Sequence, residues 1–188
     1  KDWWKSQGEE IMFGPRTPED LKEAIAMLLY VFQRAVAADP AKPGAMKDVE
    51  FTMELKDPNV RPVKCRYRRY SPMEKEAIRE ECQVMLDKGI VEYSDSPWSA
   101  PVVLVKKKDG KWRFCVNFTA TVNPHLIQDS EPLAKAQDVL EELGTATTMS
   151  LWDVASGYWS CVVKKEHRKY LAFGTDSHGL LQFARMPF

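Results

Sequence analysis

Apolar residues recur three and four positions apart in three stretches, the spacing of one face of a helix. The pattern of residues 21–38 predicts an amphipathic helix with Thr17 as its N-cap. The Ser-Pro-Met-Glu of residues 71–74 is a capping box, and it predicts a helix that closes at Lys88-Gly89. A third helix is predicted over residues 132–143, ending at Gly144.

Alternating or short apolar runs predict strands between these helices. Residues 49–55 alternate apolar and polar side chains, which is the period of a strand. The runs 102–105 and 112–118 flank a Lys-Lys-Lys-Asp-Gly-Lys sequence, whose Asp-Gly is typical of a hairpin turn. Further strands are predicted at residues 147–153, 158–163, 170–173 and 180–183. Helices mixed with antiparallel hairpins indicate an α+β fold.

Charge and composition limit the classes of function. The 188 residues are 44% hydrophobic and 29% charged, which indicates a globular chain with a sizeable core. Lys plus Arg and Asp plus Glu both total 27, so the net charge is zero. A dedicated nucleic-acid binder usually carries a basic surplus, and any such contact here must come from local clustering.

Cysteine usage and hydropathy suggest an intracellular protein. The four cysteines are scattered without a Cys-x-x-Cys pair, which favours small core residues over metal ligands or disulfides. A reducing compartment fits this usage. No apolar run approaches the roughly 18–20 residues of a membrane span. The first residue is Lys1 rather than Met, which is compatible with removal of an organelle presequence, for example a mitochondrial one.

The chain is predicted to have an N-terminal arm and helix over residues 1–47, ahead of a domain over residues 48–188. The arm carries adjacent Trp3 and Trp4. Two exposed tryptophans favour docking against this domain or a partner protein, and a flexible tail is the alternative.

A basic segment lies between the first and second predicted helices. Residues 61–70 read R-P-V-K-C-R-Y-R-R-Y, with tyrosines interleaved among cations. Cations suit phosphates and aromatic rings suit bases, so Lys64, Arg66, Arg68 and Arg69 are candidate nucleic-acid contacts. A solvated strand with exposed charge is an equally good interpretation.

Four motifs occur in a characteristic order. Residues 96–118 read S-P-W-S-A-P-V-V-L-V-K-K-K-D-G-K-W-R-F-C-V-N-F, and residues 151–159 read L-W-D-V-A-S-G-Y-W. A-F-G-T-D and Q-F-A-R-M-P-F follow. This order resembles gypsy-type retrotransposon reverse transcriptases, and more distantly retroviral polymerases, over Glu19–Phe188. The resemblance implies the fingers and first part of the palm, with an antiparallel sheet and flanking helices.

The resemblance also implies roles for four residues. Lys107 corresponds to the triphosphate-binding lysine of the finger hairpin, and Arg113 to its arginine partner. Asp153 corresponds to the first metal-binding aspartate, and Tyr158 to the aromatic residue on which the incoming sugar stacks. Each has an ordinary alternative: a lysine-rich turn is usually solvated, an aspartate after a strand is usually a cap, and a tyrosine there is usually core.

The sequence departs from the family pattern in several places. Residues 117–123 replace the usual Asp-Tyr-Arg-x-Leu-Asn, so an aspartate and an arginine are missing. Glu131, Ser160 and Tyr170 also stand where the family has other residues. The remaining catalytic carboxylates of the family lie in a Tyr-x-Asp-Asp hairpin, which would come after Phe188. Asp153 alone cannot hold two divalent ions about 3.5–4 Å apart.

Three functions follow from these features. The first is a catalytically inactive, retrotransposon-derived structural subunit, which contacts partner proteins through the Trp3/Trp4 arm and the C-terminal sheet edge. The second is the N-terminal part of an active RNA-directed DNA polymerase of a Pol polyprotein. The third is a residual nucleic-acid-binding module. No bound cofactor is expected, except Mg²⁺ where an active polymerase context is restored.

Overall fold

The computed structural model describes residues 13–32, 44–108, 110, 112–128, 135–144, 154 and 157–188. The chain divides into two compact units, residues 1–44 and 45–188. Several predictions lie outside the described residues: the Trp3/Trp4 arm, the helical residues 33–38, and the strand 147–153 with Asp153.

The first unit contributes one helix, α1, over Glu19–Val31. Its N-cap is Pro18, which has extended backbone angles (φ −59°, ψ 149°) and makes no side-chain capping bond. The prediction that Thr17 caps the helix is therefore wrong, because the helical turn starts one residue later than Thr17 requires. Glu19 and Asp20 in the first turn still favour this helix end through the helix dipole.

In the described part of the second unit, seven strands form three small sheets. The largest sheet is antiparallel, in the order β2–β7–β6, and β3 and β4 form a separate antiparallel hairpin. Strands β1 and β5 pair in parallel. The strands are β1 Glu50–Phe51, β2 Val91–Tyr93, β3 Val102–Lys106, β4 Trp112–Val116, β5 Val162–Val163, β6 Ala172–Thr175 and β7 Gly179–Phe183.

Helix α2 spans Pro72–Asp87 and confirms the predicted signals at both ends. The Ser71 hydroxyl accepts a hydrogen bond from the Glu74 N–H (3.3 Å), and the Ser71 N–H donates to the Glu74 carboxylate (2.7 Å). At the other end Gly89 has a φ of 63°, and its N–H donates to the Leu86 carbonyl. Glycine adopts this left-handed conformation without steric cost, which ends the helix.

Among the described residues, two shorter helices and two 3₁₀ turns connect the strands. Helix α3 spans Ala136–Leu143 and reaches Gly144 as predicted, while α4 spans Gly157–Ser160. The 3₁₀ turns cover Asn123–His125 and Lys165–Leu171. Among the helices in the described ranges, none has the length and apolar character that crossing a bilayer requires.

Two strand predictions need correction. Residues 158–160 form α4 rather than a strand, because the Cys161 N–H donates back to the Tyr158 carbonyl (3.1 Å) and pairing begins only at Val162. In residues 49–55 the ladder is limited to Glu50–Phe51. The Met53 N–H donates instead to Nδ1 of His167 (3.0 Å), so a side chain replaces the neighbouring strand.

The core lies between α2 and the sheets. The side chains of Ile78, Cys82 and Met85 form the buried face of α2, as the helical spacing predicted. They join the buried residues Ile90, Val102, Phe173, Leu181 and Phe183 of the strands and connections in one apolar cluster. This packing fixes the hairpin and the three-stranded sheet relative to α2.

Thiol chemistry offers a direct test of this core. All four cysteines are free thiols, and burial raises the pKa of Cys82 to about 12. We expect Cys82 to resist alkylation at pH 8, since the thiolate is the nucleophile, while the half-buried Cys65, Cys115 and Cys161 react faster. Mass spectrometry of iodoacetamide-treated protein measures this order. Rapid labelling of Cys82 in native protein would contradict the packing of α2.

Candidate nucleotide and nucleic-acid site

The β3–β4 hairpin has one inner and one outer face. Its antiparallel register pairs Leu104 with Phe114 and Val105 with Arg113. Leu104 and Phe114 pack against the core, and the Phe114 ring lies edge-on to Phe173 with centroids 5.7 Å apart. Successive side chains alternate in direction, so Val105 and Arg113 occupy the opposite, outer face.

Lys107 begins the turn of this hairpin, directly after Lys106, the last residue of β3. The Gly110 N–H donates to the Lys107 carbonyl (3.1 Å), and Gly110 has the positive φ of 81° that this turn requires. Arg113, the second residue of β4, lies at the same end of the hairpin.

Lys107 and Arg113 are both exposed, and neither forms an ion pair with any residue that the structure describes. Lys106 instead lies over the Trp112 ring at 6.0 Å. The charges of Lys107 and Arg113 are therefore available at one end of the hairpin, and their role in binding a triphosphate stays a prediction.

Of the other two residues of the predicted polymerase site, Tyr158 and Asp153, the structure describes only Tyr158. Tyr158 lies on α4, with its ring half exposed and edge-on to Phe188 at 5.6 Å. Asp153 is outside the described residues, so the structure gives its carboxylate no position. In the described part of the chain, no three metal-binding side chains cluster.

The basic segment 61–70 is held in place by its backbone. Lys64 forms an isolated parallel bridge with Ser99, and the Cys65 N–H donates to the Ser99 carbonyl (2.9 Å). The predicted contacts Lys64, Arg66, Arg68 and Arg69 are all exposed. Within the described residues they have no ion pair, so their charges are available to a ligand.

The two tyrosines of this segment have different surroundings. The Tyr70 hydroxyl donates to the Val102 carbonyl (2.8 Å), which ties the segment to β3. Burial raises the pKa of Tyr70, and the nearby Arg68 opposes that rise. Tyr67 is half exposed, and the end of its ring lies on the backbone of Gly174 in β6.

Gly174 is a site residue that the sequence pattern did not single out. A Cβ added there would lie 2.7 Å from Cζ of Tyr67, closer than real Cβ contacts occur. The only sequence signal was a glycine directly after the predicted strand 170–173; inside a strand, where the structure places it, a glycine can mark a close approach of another group. The partner in that approach was not predictable from spacing.

A cleft of about 360 Å³ opens beside Gly174, between the first turns of α2 and the β6–β7 turn. Its floor is apolar, with Ile78 and Val102 fully buried. Charged pairs line its edge: Lys75 with Asp176 (3.0 Å) and Arg79 with Glu76 (2.5 Å). The cleft has the size and the apolar floor common in small-ligand sites.

Comparison with known proteins gives consistent relatives. No family model matches the chain. It is 33% identical over 119 residues to the retrovirus-related Pol polyprotein from transposon 412 of Drosophila melanogaster, covering 60% of this chain and 10% of that protein. It is 28% identical over 163 residues to the enzymatic polyprotein of Cauliflower mosaic virus (strain CM-1841), covering 84% and 24%. The chain therefore corresponds to a minor part of these relatives.

Solved structures show the same fold. The foamy viral protease-reverse transcriptase in complex with an RNA/DNA hybrid superposes with a TM-score of 0.72 at 18% identity, over 100% of this chain and 25% of that one. The related dRH form in complex with double-stranded DNA gives 0.71 at 20% identity, over 100% and 32%.

The chain therefore has the fold of part of these foamy viral reverse transcriptases, with the mixed α+β architecture that the sequence predicted. The sequence relatives narrow the class further. The chain is a reverse-transcriptase-like region homologous to retroelement Pol polyproteins, which confirms the resemblance seen in its motifs.

Proposed function

We propose that this chain is the part of an RNA-directed DNA polymerase that receives the incoming deoxynucleoside triphosphate. The observation that supports the proposal is the turn end of the β3–β4 hairpin, where Lys107 and Arg113 are both exposed and have no ion pairs among the described residues. Two neighbouring cations suit the negative charge of a triphosphate, and arginine adds planar, bidentate hydrogen bonding.

The hairpin is built to present these cations. Its inner face is anchored on the core through Phe114 and Phe173, while Lys107 lies at the solvated end. A hairpin fixed at its base and exposed at its tip can close over a nucleotide, a motion common in enzymes that must exclude water. Phosphoryl transfer depends mainly on such positioning and charge neutralisation.

Asp153 and Tyr158 complete the proposed arrangement. Asp153 would supply one carboxylate to Mg²⁺, and the other carboxylates of a two-metal site would have to come from elsewhere. The half-exposed ring of Tyr158 offers a surface for the sugar of the nucleotide. The foamy viral structures hold an RNA/DNA hybrid and double-stranded DNA, which supports nucleic acid as a partner here too.

Calorimetric titration of the chain with dTTP and Mg²⁺ tests the proposal. Lys107→Gln and Arg113→Gln should each weaken dTTP binding by about 5–20-fold. Each substitution removes one hydrogen bond of a charged donor, and solvent weakens that bond because both side chains are exposed. Lys165→Gln is the matched control, since Lys165 is exposed and without an ion pair to any described residue but lies on the 3₁₀ turn before β6. Equal effects of all three variants would reject a specific site.

A second candidate is a catalytically inactive structural subunit. It is favoured by residues 117–119, where Asn117 and Thr119 stand in place of the family's aspartate and arginine. The Asn117 side chain accepts the Thr119 N–H (3.0 Å), so it serves a local turn. Partner proteins would then use the Trp3/Trp4 arm or the C-terminal sheet edge. The same titration separates the candidates, because an inactive subunit predicts no dTTP binding that depends on Lys107.

A further inference from the structure

Tyr67 is held in an unusual position for an exposed aromatic residue. Its Cε1, Cζ and Oη atoms lie on the backbone of Gly174, which is itself buried. Yet 51% of the Tyr67 surface remains open to solvent. The ring is therefore fixed at one end and available for contact over the rest.

The residues on either side of Tyr67 carry free positive charge. Arg66 and Arg68 are exposed, and within the described part of the chain neither forms a hydrogen bond or ion pair. The backbone of this segment is fixed at both ends, because the Cys65 N–H is hydrogen-bonded to the Ser99 carbonyl and the Tyr70 hydroxyl to the Val102 carbonyl. A fixed ring next in sequence to two available guanidinium groups supplies a surface for a base and cations for its phosphates.

The cleft beside Gly174 provides the space that a base needs. Gly174 supports the Tyr67 ring and also lines the cleft, so the two features share this residue. The cleft floor is apolar, and a planar heterocycle covers apolar surface well. Its edge charges are already paired, so it is not itself an anion site.

We propose that Tyr67 is a stacking platform for an unpaired base of a single-stranded nucleic acid, with Arg66 and Arg68 on the adjoining phosphates. This proposal rests on the proposed function and extends it to the strand that is not yet paired. Bases within a duplex present no free face, so the platform selects single strands. Stacking does not distinguish RNA from DNA, since every base has a π-face.

Fluorescence anisotropy with a labelled oligothymidylate of about twelve nucleotides tests the platform. A second oligonucleotide of the same length carries abasic sugars throughout, so that only its phosphates remain. Tyr67→Ala should weaken oligothymidylate binding by about 5–100-fold and leave binding of the abasic strand unchanged, since only the stacked base is lost. Tyr67→Phe keeps the ring and should bind like the parent. Tyr93→Ala is the matched control, because Tyr93 is a more exposed tyrosine on β2.

Substitution beneath the ring gives an independent test. Gly174→Ala puts a methyl group where the Tyr67 ring lies, so the ring must move while its chemistry is unchanged. It should weaken oligothymidylate binding in the same direction as Tyr67→Ala, with thermal melting used to confirm folding. Arg66→Gln should weaken both oligonucleotides and reduce the salt dependence of binding by about one unit of slope.

The outcomes separate this inference from the proposed function. If Tyr67→Ala weakens binding of both oligonucleotides, the platform is overturned, since the ring would then only support the basic segment 61–70. An oligouridylate that binds with the same Tyr67 dependence would show that RNA is accepted as well as DNA. Titration with dTTP reports on Lys107 and Arg113 alone. If dTTP does not bind but oligothymidylate binding still depends on Tyr67, the nucleotide site is rejected and the platform is kept.

Discussion

Phe173→Ala is expected to lower the free energy of unfolding of residues 45–188 by about 3–5 kcal/mol, the usual cost of removing a phenylalanine from a packed core. Phe173 is fully buried in β6. Its ring lies 5.1 Å from that of Phe183 and 5.7 Å from that of Phe114, centroid to centroid. One side chain thus connects the β2–β7–β6 sheet to the β3–β4 hairpin.

Urea denaturation followed by tryptophan fluorescence measures this change. The midpoint should fall while the slope with urea stays constant, because the surface exposed on unfolding is nearly unchanged. Tyr93→Ala is the control, with an expected change within about 0.5 kcal/mol for an exposed residue. A loss of less than about 1 kcal/mol for Phe173→Ala would mean that the hairpin does not pack on β6 as described.

The parts of the fold that sequence predicted well are those whose signals are local. Ser71 and Glu74 lie three residues apart and satisfy each other's hydrogen bonds, and Gly89 supplies its own left-handed conformation. The β3–β4 hairpin likewise follows from a turn glycine and two apolar runs.

The predictions that failed depend on partners far along the chain. Residues 158–163 have the aromatic and β-branched side chains of a strand, but pairing is available only to Val162 and Val163, opposite β1. Residues 49–55 kept their predicted alternation of burial at Phe51 and Met53, while the ladder stopped after two residues. Periodicity indicates which face of a segment is buried, but it does not indicate which other segment supplies the hydrogen bonds.

The candidate site likewise combines features with a local sequence signal and features that depend on distant residues. Arg66 and Arg68 were recognisable as available cations from composition alone. The support of Tyr67 by Gly174 was not, because it joins the basic segment to β6 across a large separation in sequence. Such contacts are decided by tertiary packing, which no local spacing encodes.

Arg168→Met is expected to lower the free energy of unfolding by about 2–3 kcal/mol, through the loss of two hydrogen bonds of a charged donor. Arg168 is only 18% exposed, and its Nε donates to the carbonyl of the buried Val163 at the end of β5 (3.0 Å). Its Nη1 donates to Glu92 on β2 (2.9 Å). Methionine retains the apolar stem, so the change reports on the guanidinium.

Glu92 is part of a longer network of side-chain hydrogen bonds. It also accepts from the Gln182 amide (2.7 Å), which in turn accepts from the Ser94 hydroxyl (2.6 Å). Glu92 is 40% exposed, so solvent screens its charge and Glu92→Gln alone should cost only about 0.5–1 kcal/mol. Most of the Arg168 effect should therefore come from its bond to Val163.

A double-mutant cycle with Arg168→Met and Glu92→Gln isolates the ion pair, using urea midpoints as the measurement. We expect a coupling of about 0.5–1 kcal/mol that shrinks in 1 M salt, since the pair is partly exposed. Additive effects would show that the ion pair contributes nothing. A salt-insensitive loss on Arg168→Met would then remain, and it would identify the bond to Val163 as a contact that fixes the 3₁₀ turn Lys165–Leu171 to the end of β5.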